Sequence, residues 1–313
     1  MPQRGMNFGS RLSRLRRYRH ILAVLMKYGF EEVTDEFRAR FKIGIIPKGD
    51  KRKEVALRSR PERFRLALEE VGPTFIKLGQ LLSTRPDLVS QEYINELEKL
   101  QDDVAPEPFK NIKREVEREL GGKVEDIFKK FDSKPLAAGS IAQVHKAVTV
   151  DGKDVVLKVR RPGIVDYVFA ECKILEDFAG LLKIAVFEDS TINPAKMVHE
   201  LTTAIKQEVN LLTEKHNQLR FSQNFKDVSY IHIARIFDEY CTEGVLTMEY
   251  ISGIKPANKI AIEKAGLDRK LIAKRGADFV LKQIFEFGLF HTDPHPGNFF
   301  LLDDNVLAPI DFG

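Results

Sequence analysis

Near its C-terminal end the 313-residue sequence places Asp293, Asn298 and Asp311 five and thirteen residues apart. They sit within Phe290-His291-Thr292-Asp293-Pro294-His295-Pro296-Gly297-Asn298 and Asp311-Phe312-Gly313. An acid, an amide five residues on, and a second acid opening Asp-Phe-Gly suit metal-assisted phosphoryl transfer. That reaction needs a carboxylate beside the attacking oxygen and two oxygen ligands for the ion that neutralises the nucleotide phosphates. Asp293 would orient the attacking hydroxyl or water. Asn298 and Asp311 would hold Mg2+, a hard ion that prefers oxygen. Each string is short enough to arise by chance; the joint spacing is not. A rival reading takes His291-x-Asp293-x-His295 as a metal-hydrolase cluster, but it leaves the Asp-Phe-Gly and the lysine described next unexplained.

The upstream partner is Val155-Val156-Leu157-Lys158, an apolar strand whose lysine can reach the α and β phosphates of ATP once a helix carboxylate holds it. Before it runs Leu136-Ala137-Ala138-Gly139-Ser140-Ile141-Ala142-Gln143-Val144-His145. A phosphate loop here would ordinarily be rich in glycine; Ala137 and Ala138 stiffen it. Gly139 keeps a turn, and Ser140 could offer a hydroxyl to a phosphate. Met248-Glu249-Tyr250 is the expected hinge whose backbone meets the adenine. ATP and Mg2+ are therefore the expected cofactors.

The elements that must position these groups follow from periodicity and punctuation. Residues 1–125 read as a helical extension, with Pro73, Pro86, Pro106 and Pro108 dividing Glu62–Val71, Phe75–Ser83, Glu92–Leu100 and Phe109–Leu120. Residues 126–250 read as a sheet-bearing lobe with inserted helices. Five strands are expected, at Ile127–Phe131, Ala142–Val150, Val155–Arg160, Ile231–Phe237 and Val245–Tyr250. Asp151-Gly152 forms a hairpin turn. The inserted helices are Ile164–Val186 and a long Pro194–Asn224. Residues 251–313 open a second, helical lobe, with a helix over Arg269–Phe287 and two short strands, Phe299–Leu302 and Val306–Ile310. The fold class is α+β, in the order of a protein kinase.

Composition is that of a globular chain, 43% hydrophobic and 31% charged. No apolar run approaches the roughly 20 residues that span a bilayer. Cys172 and Cys241 supply no disulfide framework, which suits a reducing, cytoplasmic compartment. The net charge of +4 conceals an asymmetry: residues 1–30 hold seven basic residues and no acid, so the remainder carries −3. Leu12, Leu15, Tyr18, Leu22 and Leu25 recur at helical spacing there. The segment reads equally as a helix lying on an anionic membrane, which would place the protein on its inner face, or as one packed on the protein body; a transit peptide ranks third. No nucleic-acid partner is expected.

One further string completes the set: Lys77-Leu78-Gly79-Gln80, with a glycine inside a helix that signals close packing. Together with the alanine-rich loop, Lys158 and His291-x-Asp293-x-His295-Pro296-Gly297-Asn298, it resembles the AarF/UbiB-type atypical kinases over roughly residues 20–313. The resemblance implies an ATP-dependent kinase or ATPase supporting quinone or isoprenoid-lipid metabolism, with lipid or quinone intermediates and other quinone-biosynthesis proteins as partners. It implies that Lys77 and Gln80 lie on a helix draped over the active site, that Glu208 contacts the extension's lysine, and that Glu214 pairs with Lys158. Asn210 departs from the family's acid and removes a charge. Family members continue past the Asp-Phe-Gly, so the resemblance makes this sequence a fragment or a natural short form. The alternative from another class is a membrane-associated, nucleotide-binding pseudokinase scaffold.

Overall fold

Glycine, proline and short polar caps divide the chain as the sequence suggests. The computed structural model describes residues 11–31, 34, 57–100, 105–186, 194–291 and 294–313. Helices α1 (Arg11–Lys27), α2 (Arg60–Val71), α3 (Pro73–Ser83), α4 (Gln91–Leu97) and α5 (Phe109–Leu120) come first. A single turn, α6 (Val124–Ile127), leads into strands β1 (Phe128–Phe131), β2 (Ala137–Ala138), β3 (Ala142–Thr149) and β4 (Asp154–Arg160). Helices α7 (Ile164–Val186), α8 (Pro194–Glu208) and α9 (Leu211–Asn224) follow, then β5 (Val245–Glu249). The chain closes with α10 (Lys259–Lys264), α11 (Arg269–Lys282) and a hairpin of β6 (Phe299–Leu301) and β7 (Leu307–Pro309). The architecture is α+β.

The chain forms two compact units, one from residues 1–104 and 163–207, the other from 105–162 and 208–313. The first is helical. Ser59 caps α2 by accepting the Glu62 amide, and Phe64, Ala67, Leu68 and Val71 recur at helical spacing to fill its core. Gly79 on α3 is obligatory: a Cβ there would lie 2.3 Å from a Leu100 methyl and 2.7 Å from one of Leu68. The expected close approach is real. Helix α1 packs into the same core through Tyr18, Ile21, Leu22, Val24 and Met26. Its Arg17 is buried, with Nε 2.7 Å and Nη2 2.6 Å from the Glu171 carboxylate oxygens, while Nη2 also reaches the Val71 carbonyl at 2.9 Å. Most of the apolar stripe thus faces protein, and Arg16 and Arg19 remain exposed.

The second unit is built on a five-stranded antiparallel sheet in the order β1-β3-β4-β5, with β2 paired to β3. Alternation along β4 sends Val155, Leu157 and Val159 into a core with Ile112 and Val116 of α5, which turns Lys158 the other way. The expected strand over Ile231–Phe237 does not form. Ile231 bridges Leu307 and Ile236 bridges Met248, so the segment divides its hydrogen bonds between two sheets and never builds a ladder. The fifth strand is Ala137–Ala138 instead. The expected single helix over 194–224 also breaks. Asn210 turns the chain and caps α9, its side-chain oxygen accepting the Leu212 amide at 3.0 Å.

Candidate functional site

Within the second unit, β4, α9 and the last residues of the chain converge. Lys158 Nζ donates to Glu214 Oε2 at 2.7 Å and to Asp311 Oδ1 at 3.0 Å. The Glu214 carboxylate is almost fully buried, whereas that of Asp311 is 52% exposed. Burial pulls the lysine pKa down, but the two carboxylates outweigh it, so the ammonium stays charged well above its ordinary range. Glu214 is pushed up by burial and by the like charge of Asp311, against the pull of Lys158. One cation serving two acids leaves the cluster with a surplus negative charge.

Helix α9 presents Glu214, Asn217 and Phe221 along one face. Asn217 Nδ2 donates to the Phe312 carbonyl at 2.9 Å, and the Phe312 ring lies 4.9 Å from that of Phe221. The same helix therefore holds Lys158 and packs the Phe of Asp-Phe-Gly, the arrangement in which phosphoryl-transfer lobes are assembled. Asp311 itself adopts φ +64°, a left-handed conformation uncommon outside glycine, of the kind that tends to cluster at functional sites. Asn298 is placed beside it by backbone pairing, its carbonyl accepting the Ile310 amide at 2.9 Å. Both offer hard oxygen donors. Among the described residues no group of three or more His, Cys, Asp or Glu could hold a metal alone. The pair instead fits Mg2+ carried on nucleotide phosphates, since that ion keeps water and phosphate oxygens and takes only one or two protein ligands.

The His291 and His295 pair is not a shared ligand set. His291 is buried, its Nε2 3.1 Å from the Ile310 carbonyl, and His295 is exposed, its Nδ1 accepting the Gly297 amide at 2.7 Å. Asp293 lies outside the described residues. Glu249 closes β5, and its carboxylate accepts from the Arg235 amide at 3.1 Å, with His232 Nε2 also 3.1 Å away. Lys77 and Gln80 belong to the first unit, Gln80 donating to the Leu100 carbonyl at 3.3 Å; Glu208 belongs to the second.

The alanine loop is held more firmly than its sequence suggests. Ala137 and Ala138 pair with Val144 and Gln143, Gly139 N–H reaches the Ala142 carbonyl at 2.9 Å, and Ser140 is buried. Arg161, absent from the sequence-based site, donates to the Gly139 carbonyl at 2.7 Å and the Ala105 carbonyl at 3.0 Å. A buried chain runs alongside: Gln143 Oε1 accepts the Glu107 amide at 2.8 Å, and Gln143 Nε2 meets His145 Nε2 at 2.8 Å. His145 Nδ1 meets the Asp132 carbonyl at 2.8 Å, which assigns the proton to Nδ1 and keeps the ring neutral. Burial lowers the His145 pKa accordingly. Two more residues escaped the sequence reading. Arg160 clamps the start of α9 through the Val209 and Glu243 carbonyls at 2.9 and 3.1 Å, so β4 and α9 keep their spacing. Gln283, in a π-turn over Gln283–Phe287, accepts the His291 amide at 2.6 Å and fixes the start of the loop. The arginine after Lys158-Val159 and the arginine before Pro162 were visible, but neither carries a motif.

Known proteins resemble this chain over most of its length. The profile of the ABC1 atypical kinase-like domain matches residues 99–313. A protein of Clostridium pasteurianum described as an uncharacterized protein in the hydrogenase 1 5' region is 38% identical over 297 residues, covering 95% of this chain and 53% of its own length. The chain thus spans about half of that relative. The solved complex of Rv3197 with erythromycin, from Mycobacterium tuberculosis, superposes with a TM-score of 0.57 at 29% identity, over 75% of this chain and 58% of the other.

Proposed function

The chain belongs to the ABC1 atypical kinase-like family, and on that premise we propose that it binds ATP with Mg2+ and transfers or hydrolyses the terminal phosphoryl group. The observation that carries the reading is Lys158 shared between Glu214 and Asp311 while Phe312 packs on the helix bearing Glu214. Lys158 would meet the α and β phosphates, with Glu214 fixing its direction. Asn298 and Asp311 would hold Mg2+, which supplies charge neutralisation on the transferring phosphoryl group. Asp293 would orient the attacking hydroxyl or water and take up its proton. The backbone following Glu249 would meet the adenine, and Ala137 to Ser140 would lie over the phosphates. Arg161 and the Gln143–His145 chain keep that loop rigid.

The resemblance to AarF/UbiB-type kinases supports three further proposals. Lys77, Gln80 and Glu208 restrict the acceptor to something other than a polypeptide. The metabolic setting is that of quinones or isoprenoid lipids. Association with an anionic membrane surface is peripheral and led by cations such as Arg16 and Arg19; no helix of the described residues is long and apolar enough to cross a bilayer.

Calorimetric titration of Mg-ATP tests the central claim. Asp311→Asn should abolish divalent-dependent binding, and unchanged affinity would remove the assignment. Retained binding by wild type without phosphate release would favour the nucleotide-binding scaffold.

A further inference from the structure

The segment leaving β5 carries a cation that none of these roles uses. Ile254 exchanges two backbone hydrogen bonds with Leu301 of β6, each 2.8 Å. Gly253 just before it has no room for a side chain: a Cβ would lie 2.8 Å from that of Phe300 and 2.9 Å from the Leu301 carbonyl oxygen. The path of the backbone is therefore fixed, and with it Lys255. Its Nζ donates to the Gly297 carbonyl at 2.8 Å and lies 3.7 Å from the centroid of the Phe300 ring. Gly297 immediately precedes Asn298, and Phe300 follows two residues later. Lys255 thus stands beside one of the two proposed metal ligands, on the side where the hinge segment enters.

Among the described residues no carboxylate pairs with this ammonium, and burial acts against its charge. Lys158 and Arg161 are treated differently: Lys158 has two carboxylates, and Arg161 has Glu107 at 3.3 Å. An ammonium carries three donors, and one carbonyl and a ring face leave it underused. A partly desolvated cation in that position gains free energy by receiving an anion.

We propose that Lys255 is an anion-binding residue of the nucleotide site, receiving a phosphate-like group beside Asn298. This deepens the nucleotide reading and rests on it. The group has two sources, a phosphate of the nucleotide itself or a phosphate on the phosphoryl acceptor.

Two substitutions separate charge from tether. Lys255→Gln keeps a donor for the Gly297 carbonyl and removes the charge; Lys255→Arg keeps the charge. Mg-ATP and adenosine are titrated into wild type and each variant, and inorganic phosphate into each protein saturated with Mg-ADP. If the nucleotide supplies the anion, Lys255→Gln weakens Mg-ATP about tenfold, the usual worth of one charge-assisted hydrogen bond, and leaves adenosine unchanged. If the acceptor supplies it, the loss falls on inorganic phosphate and Mg-ATP is unchanged. Lys255→Arg stays close to wild type in both cases. Lys255→Gln matching wild type on every probe makes the lysine a tether only and overturns the proposal, as does Lys255→Arg losing as much as Lys255→Gln. Variants are compared only where their thermal unfolding midpoints match wild type, with Lys255→Met replacing a Gln variant that does not fold. Wild type failing to bind Mg-ATP would remove the nucleotide reading itself, before any variant is compared.

Discussion

Each unit of the chain contains a buried ion pair, and the two are arranged to opposite ends. In the helical unit, Arg17 and Glu171 meet one to one, and a further donor of Arg17 goes to the Val71 carbonyl. The charge closes. In the sheet-bearing unit, Lys158 divides itself between Glu214 and Asp311, one acid hidden and the other half exposed. There the charge does not close, and the surplus faces outward on a backbone held at positive φ. Burial alone would not have told the two apart, since both contain a carboxylate sealed from water. The excess charge and the strained, accessible partner distinguish a site that expects a ligand from one that only holds helices together.

The largest test of this contrast removes one charge from each cluster. Arg17→Met strands the Glu171 carboxylate in the core and should cost about 3–5 kcal/mol of stability, read by denaturant unfolding. Arg17→Met with Glu171→Leu should recover most of that, because the apolar pair removes the uncompensated charge. Asp311→Asn should behave differently. It leaves Lys158 with Glu214, relieves the like-charge contact, and places asparagine where left-handed φ suits it, so stability should change by less than about 1 kcal/mol. Binding is lost there while the fold is not. Comparable stability losses for Arg17→Met and Asp311→Asn would break the comparison.

A smaller effect separates the units by pH. The Arg17 guanidinium, opposed by its own burial but held up by Glu171, stays charged throughout the mildly acidic range. The Gln143–His145 chain requires a neutral ring, and burial depresses the His145 pKa below its usual 6.5. The unfolded chain takes up that proton more readily than the folded one. The stability from the neutral ring is therefore complete above pH 6.5 and falls as pH drops from there towards the folded value. His145→Gln should flatten that part of the stability profile without moving the alkaline part. An unchanged acid limb would mean the chain does not report on His145.

The sequence disclosed which residues meet at the candidate site better than what supports them. Asp311, Asn298 and Lys158 were legible because their spacing is set by local turns and one strand. Glu214 came through a family likeness, since nothing local marks a helix carboxylate as the partner of a lysine 56 residues away. Arg160, Arg161 and Gln143 act on carbonyls and amides brought near only by the fold, and no residue pattern announces that. The strand expected at Ile231–Phe237 had the right β-branched composition, yet composition cannot say whether one sheet or two will claim its backbone. Conversely Ala137–Ala138 pairs into the sheet with poor strand formers because β3 is already there to receive it. Asn210 was read as a lost charge, whereas its immediate work is to cap α9.

The smallest predicted effect concerns that alanine segment. Ala138 pairs with Gln143, whose side chain anchors the Glu107 amide and the His145 ring, while Arg161 holds Gly139 one residue on. Ala138→Gly adds backbone freedom to one position of this held loop, worth roughly 0.5–1 kcal/mol against the ordered state. It removes none of the hydrogen bonds, because all of them belong to neighbours or to the backbone. The change should therefore lower stability by no more than that amount and appear mainly in ligand preference, shifting the ratio of ATP to ADP affinity as the loop gains room over the terminal phosphate. Arg161→Met should move the ratio in the same direction and further, since it releases both the Gly139 and Ala105 carbonyls. Calorimetry with the two nucleotides on both variants checks this. A ratio unmoved by Arg161→Met would show that the loop's rigidity does not reach the nucleotide, and the tethers would then belong with Arg17 and Glu171 as fold-holding contacts.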